Sequence, residues 1–149
     1  MATPGDARTH GTRREFFDGI ASGWDARVAT DAFLDRLRSA VADLSVAPDE
    51  VVLDLGCGTG NLARVLCEAL GADGRVIAVD FSSAMLEVAR AKLRDETRVS
   101  WVDADARSIP VPDGAVDRVI CFSAWPHFQE HPRVARELFR VLRSGGRLH

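Results

Sequence analysis

The sequence predicts an α/β domain, a doubly wound Rossmann-like and mostly parallel sheet with helices on both faces, and three observations lead there. From residue 48 onward, short apolar runs of strand length alternate with longer segments whose apolar residues recur at helical spacing. A glycine-rich turn, Gly56-Cys57-Gly58-Thr59-Gly60, follows the first such run and opens a helical pattern. The 149 residues suffice for one domain and fall short of two, since a chain of this size buries roughly 70% of its unfolded surface.

Hydrophobic residues at 46% and charged residues at 28% are those of an ordinary globular protein and disfavour membrane-spanning or wholly disordered classes. The net charge is −3, and the basic residues are scattered rather than gathered in a stripe, so nucleic acid is not an expected partner. No run approaches the roughly 18 apolar residues of a membrane span, and residues 1–11 lack the apolar centre of a leader, which predicts a cytoplasmic protein. Cys57, Cys67 and Cys121 are odd in number and lack CxxC spacing, so neither a disulfide framework nor a zinc site is expected.

Residues 1–12, rich in Gly, Thr and charge and without apolar period, read as a flexible arm. Residues 13–149 read as the domain, opening with helices at 13–47; Phe33, Leu34, Leu37, Val41 and Leu44 fall on one face and Pro48 ends the second helix. A strand at 51–55 leads through the glycine turn to a helix carrying Leu62, Val65, Leu66, Ala69 and Leu70, with Gly71 as its expected C-cap. A strand at 76–79 follows, then a helix capped by Ser82 and bearing Met85, Leu86, Ala89 and Leu93, then a strand at 99–102.

After the Asp113-Gly114 turn comes a strand at 116–122, then a helix from Pro132 with Val134, Leu138, Val141 and Leu142, which Ser144-Gly145-Gly146 is expected to stop. Residues 147–149 are then too few for a strand, so the sheet is expected to be truncated at its fifth strand. Such an unpaired edge favours a homodimer.

The chemistry gathers where strands end. Asp54 precedes the glycines, Asp80 closes the second strand about 20 residues after them, and Asp103 and Asp105 follow the third, so carboxylates line the edge where open α/β sheets bind ligands. Asp80 suits ribose hydroxyls and on spacing alone fits NAD as well. A pyrophosphate would meet repulsion here, and the glycine spacing is neither the dinucleotide GxGxxG nor a Walker loop. A cofactor with ribose and adenine, no phosphate, and cationic ammonium and sulfonium groups fits better, and S-adenosylmethionine has these features. The bland alternative is a tight turn without ligand, with the four aspartates serving as turn and cap residues.

In the order VVLDLGCGTGNLA, VIAVDFSSAMLEVAR, DARSIPVPDGAVD and RELFRVLRSGGRL, with FFDGIASGWD ahead of them, the sequence resembles the class I S-adenosylmethionine-dependent methyltransferases. It is most similar to the type 11 branch that includes ubiquinone and menaquinone biosynthesis methyltransferases. The resemblance runs over about residues 14–148. It implies that Asp54, Gly56 and Gly58 surround the methionine end of the cofactor and that Asp80 holds the ribose. It places Phe81 and Met85 beside the adenine, Asp105 and the Ala106 backbone at the adenine edge, Phe122 beside the sulfonium, and Trp24 near the cofactor. Spacing does not choose between Asp103 and Asp105; the motif selects Asp105. Phe81, Met85 and Trp24 have core packing as the competing reading.

Methyl transfer is an in-line displacement in which alignment is worth up to roughly 7–11 kcal/mol, and the expected acceptor is a small molecule. His127, in the segment after the fourth strand, is the candidate general base, against the alternative of a loop histidine that packs or caps. Trp125 is either an acceptor wall or core. His127 and His131 could share a helix face but have no third ligand at suitable spacing, so no metal is expected. The rival functions are a cofactor-binding module without independent turnover, acting in an assembly, and an NAD oxidoreductase of the same fold.

Overall fold

A computed structural model describes residues 4–149, with side chains from residue 11 onward. Residues 1–3 of the expected arm lie outside the described residues, and helix α1 (Pro4–Val28) takes in the rest of it. Pro4 suits a first helical turn, and no second proline interrupts the segment. Helix α2 (Asp31–Asp43) is capped by Thr30, whose hydroxyl accepts the Phe33 N–H at 3.2 Å, and it buries Leu34, Leu37 and Val41.

The remaining elements are β1 (Val51–Leu55), α3 (Asn61–Ala69), β2 (Arg75–Asp80), α4 (Ser83–Lys92), β3 (Val99–Asp103), β4 (Val116–Ile120), α5 (His131–Val141) and β5 (Leu142–Leu148). The five strands are parallel in the order β3-β2-β1-β4-β5. The order reverses between β1 and β4, and a crevice opens at such a switch point. Alternation along the strands serves two cores. Val52, Val76, Ala78 and Ile120 pack with α2, α3 and Leu86 of α4. Leu53, Leu55, Val79 and Val119 pack with Val134, Leu138 and Val141 of α5 and with Ile109 and Val111.

Three expectations are corrected. Leu70, not Gly71, caps α3, and it does so in an extended conformation. Gly71 is small because its N–H reaches the Pro48 carbonyl at 2.8 Å, where an added Cβ would lie 3.1 Å from that oxygen. Strand β4 ends at Ile120, leaving Cys121 and Phe122 beyond it. Helix α5 stops at Val141, and the expected stop signal lies inside β5, a strand of seven residues rather than a three-residue remnant. Val116 pairs with Leu142 and Arg118 with Arg147, so the intervening residues, including Gly145 at φ 77°, form an irregularity in the strand rather than a helix cap.

At the amino ends of the strands, Arg118 is 2% exposed and grips Glu50 through Nε and Nη2 at 2.7 and 2.9 Å while donating to the Leu44 carbonyl at the end of α2. Among the described residues no helix is long and apolar enough to cross a membrane.

Candidate functional site

A cavity of about 410 Å³ lies beyond the carboxyl ends of β1, β2 and β4, and every residue singled out from the motifs lines it. Strand β1 delivers Asp54 and the turn Gly56 and Gly58. Strand β2 delivers Asp80 and then Phe81, and α4 turns Met85 inward. The segment after β3 supplies Asp105 and Ala106, the segment after β4 supplies Phe122 and His127, and α1 adds Trp24 to the wall.

The glycine turn is held against β2. Both the Gly56 and Cys57 N–H groups donate to the Val79 carbonyl, at 2.8 and 3.0 Å. Gly56 has φ 73°, and an added Cβ would lie 2.4 Å from the Ala124 Cβ, so the turn and the segment after β4 touch because no side chain intervenes. Gly58 has φ 52° and an added Cβ would meet nothing within 4 Å, which leaves the backbone open toward the cavity.

Asp54 is 1% exposed, and its Oδ2 is buried with no hydrogen-bond partner. Burial pushes its carboxyl up to about 8; neighbouring Asp80 adds to the rise and a hydrogen bond from the Ala63 N–H opposes it. Asp80 accepts the Gly58 N–H at 2.8 Å on Oδ2 and the Ser82 N–H at 2.9 Å on Oδ1, so it staples the turn to the start of α4 as well as facing the cavity. Burial raises its carboxyl too, against the pull of these amides. The Cys57 thiol is raised by burial and then by the two aspartates, which keeps it an inert apolar filler.

Asp103 and Asp105 part company because β3 ends at Asp103. Asp105 lines the cavity, gripped by Arg107 through Nε on Oδ1 and Nη2 on Oδ2, both at 3.0 Å. Arg107 also pairs with Glu130 at the start of α5. Asp103 is not in the lining and faces Arg14 of α1 at 3.5 Å.

The apolar wall contains residues the sequence reading missed. Phe33, read as part of the α2 stripe, meets Phe122 edge-on at 6.1 Å, with Leu37 and Val28 beside them. Phe17 stands 5.8 Å from the Phe81 ring and 5.3 Å from that of His127. The available signal was its spacing of seven from Trp24, which places both on one side of a helix. His127 is exposed, ends the short turn Trp125–His127, and holds Arg13 through its carbonyl oxygen. Trp125 is outside the lining and stacks on His131 at 4.8 Å. His127 and His131 therefore lie on separate elements, and no group of three metal-ligating side chains occurs among the described residues.

A family described as a methyltransferase domain matches residues 52–146. The demethylmenaquinone methyltransferase of Lactococcus lactis is 33% identical over 143 residues, covering 91% of this chain and 56% of that protein. The enzyme of the same name from Thermus thermophilus is 41% identical over 117 residues, covering 76% and 52% respectively. The solved structure of the YcgJ protein from Bacillus subtilis superposes with a TM-score of 0.69 at 29% identity, over 75% of this chain and 47% of that one. The chain spans about half the length of the curated relatives it matches.

Proposed function

The chain belongs to the methyltransferase-domain family, and from that premise we propose that its cavity binds S-adenosylmethionine and directs the methyl group to a small, largely apolar acceptor. One observation carries the reading: a buried carboxylate oxygen of Asp54, without a partner, at the cavity floor beside an open glycine backbone. An ammonium group is the complement such an oxygen lacks.

Asp54 would take the ammonium, and Asp80 would accept from the ribose hydroxyls with the lone pairs its amide donors leave over. Phe81 and Met85 would sandwich the adenine, whose edge meets Asp105 and the Ala106 backbone. Arg107 keeps Asp105 from swinging. When bound, S-adenosylmethionine supplies a methyl group on a cationic sulfur, so that the departing group is a neutral thioether. Trp24 and Phe122 line the cavity and would border that end of the cofactor. Phe33, Leu37 and Val28 offer the acceptor an apolar face, which favours a flat or apolar molecule over a charged one. His127, in edge contact with Phe17 and with Arg13 on its carbonyl, would take a proton from a hydroxyl or amine acceptor.

Calorimetric titration of S-adenosylmethionine and S-adenosylhomocysteine tests the binding, and transfer of labelled methyl to an acceptor panel tests the turnover. His127→Ala is expected to lower the transfer rate about 10²–10⁴-fold while the binding of S-adenosylhomocysteine persists. Binding with no transfer to any acceptor would favour the module reading, and no binding by the folded protein would end both. The outer edge of β5 pairs with no strand among the described residues. We propose that a second copy adds there, which light scattering would report as a dimer; a monomer would refute it.

A further inference from the structure

The contacts of Asp25 give α1 a second role beyond lining the cavity. Its Oδ1 accepts the Thr59 hydroxyl at 2.6 Å and the Asn61 amide at 3.0 Å, and its Oδ2 accepts the Lys92 ammonium at 2.7 Å. Lys92 also donates to Asn61 Oδ1 at 2.8 Å, which closes the ring of contacts. One carboxylate on α1 thus joins the glycine turn, the first residue of α3 and the last residue of α4. The residue before it, Trp24, lines the cavity, and Thr59 is 1% exposed within the turn.

We propose that Asp25 is a positioning residue that latches α1 onto the glycine turn, so that the wall α1 gives the cavity follows the turn's conformation and a bound cofactor leaves only as the latch opens. The ligand-dependent half of this inference rests on the cofactor reading above. Two attachments of α1 serve different ends. Asp18 accepts from the Ser82 hydroxyl at 2.5 Å and the Ala84 N–H at 3.3 Å, which fastens α1 to the start of α4. Asp25 fastens it to the turn that a ligand would touch. Burial acts against ionisation of Asp25, and the hydrogen bonds from Lys92, Thr59 and Asn61 outweigh it, so the carboxylate stays charged near neutral pH.

The test is amide hydrogen exchange across residues 14–28 and 56–61, with and without S-adenosylhomocysteine, in the wild type, Asp25→Ala, Lys92→Met and Asp18→Ala. Without ligand, Asp25→Ala is expected to speed exchange about tenfold in both segments, while β1 and β2 are unchanged. Lys92→Met takes away the α4 side of the latch and leaves Thr59 and Asn61 on Asp25, so it is expected to speed exchange in the same two segments by a smaller factor, which covers poor folding of the first variant. Asp18→Ala is expected to loosen residues 14–28 alone. With ligand, the wild type should slow exchange in both segments together, and Asp25→Ala should retain the slowing only at 56–61, with release about tenfold faster. Asp25→Ala that loosens α1 without touching 56–61, or that keeps the ligand-linked slowing of 14–28, overturns the latch. A wild type that binds no S-adenosylhomocysteine overturns the cofactor reading instead, and the ligand-free exchange still decides the latch.

Discussion

At the amino ends of β1 and β4, Glu50 meets Arg118 in a two-pronged pair, and Asp117 accepts the Val51 N–H at 2.7 Å while facing Arg143. At the carboxyl ends of β1 and β2, Asp54 and Asp80 share one cavity with no ion pair among the described residues. The two ends shift their carboxyls in opposite directions. Arg118 holds Glu50 below the usual carboxylate range; at Asp117 burial pulls upward and is outweighed by the Val51 amide and Arg143. Burial raises Asp54 and Asp80 because too few donors offset it. A buried carboxyl with its partner present is held charged and belongs to the scaffold; Asp54, buried without one, is pushed toward its neutral form, a shift that a cationic ligand would reverse.

The largest expected effect breaks the amino end. Arg118→Met leaves Glu50 uncompensated and is expected to cost about 3–5 kcal/mol, seen as a fall in Tm of about 10 °C in a thermal melt. An unchanged melt would mean that this pair is not structural and would dissolve the contrast. Next, Asp54→Asn is expected to weaken S-adenosylhomocysteine binding about a hundredfold by calorimetry. The same variant should melt higher than the wild type, more so at pH 9 than at pH 6. Because the folded-state value is raised, the stabilising contribution of protonated Asp54 is full below the ordinary value of 3.8 and is lost as pH rises through about 8.

A smaller effect sharpens the same point. A cationic ligand favours ionised Asp54, so binding below pH 8 should release a proton, and affinity should rise by up to about tenfold per pH unit between pH 6 and 8. Titration in two buffers of different ionisation enthalpy would show the release; a flat profile would remove Asp54 from the ammonium site. The smallest change is expected far from both ends. Phe139 is 83% exposed on α5, and Phe139→Ser should move stability by no more than about 0.5 kcal/mol and leave binding alone.

The lining of the candidate site was legible where its residues sit on one short stretch with a local reason for being there. Asp54, Gly56 and Gly58 follow from a strand running into a glycine turn, Asp80 from the end of the next strand, and Met85 from a helix whose cap, Ser82, accepts the Met85 N–H as its position suggests. It was illegible where a contact joins distant segments. Phe33 looked like any other member of an apolar stripe until Phe122 came against it, and Asp25 had no visible task until Thr59, Asn61 and Lys92 closed around it. Ser144-Gly145-Gly146 misled for a related reason. Glycines after a helical pattern read as a cap, but the open edge of β4 offered hydrogen bonds to the backbone one turn earlier.

The sequence by itself determined the alternation of strands and helices, the parallel sheet, and the acidic, glycine-rich edge, because period, capping and turn chemistry act over a few residues. Only the tertiary structure decided what α1 holds and which buried carboxyl goes without a partner; between Asp103 and Asp105 spacing left the choice open, the motif selected Asp105, and Asp105 is the one that lines the cavity. Those outcomes depend on burial and on groups far apart along the chain, and neither is encoded in the spacing of neighbours.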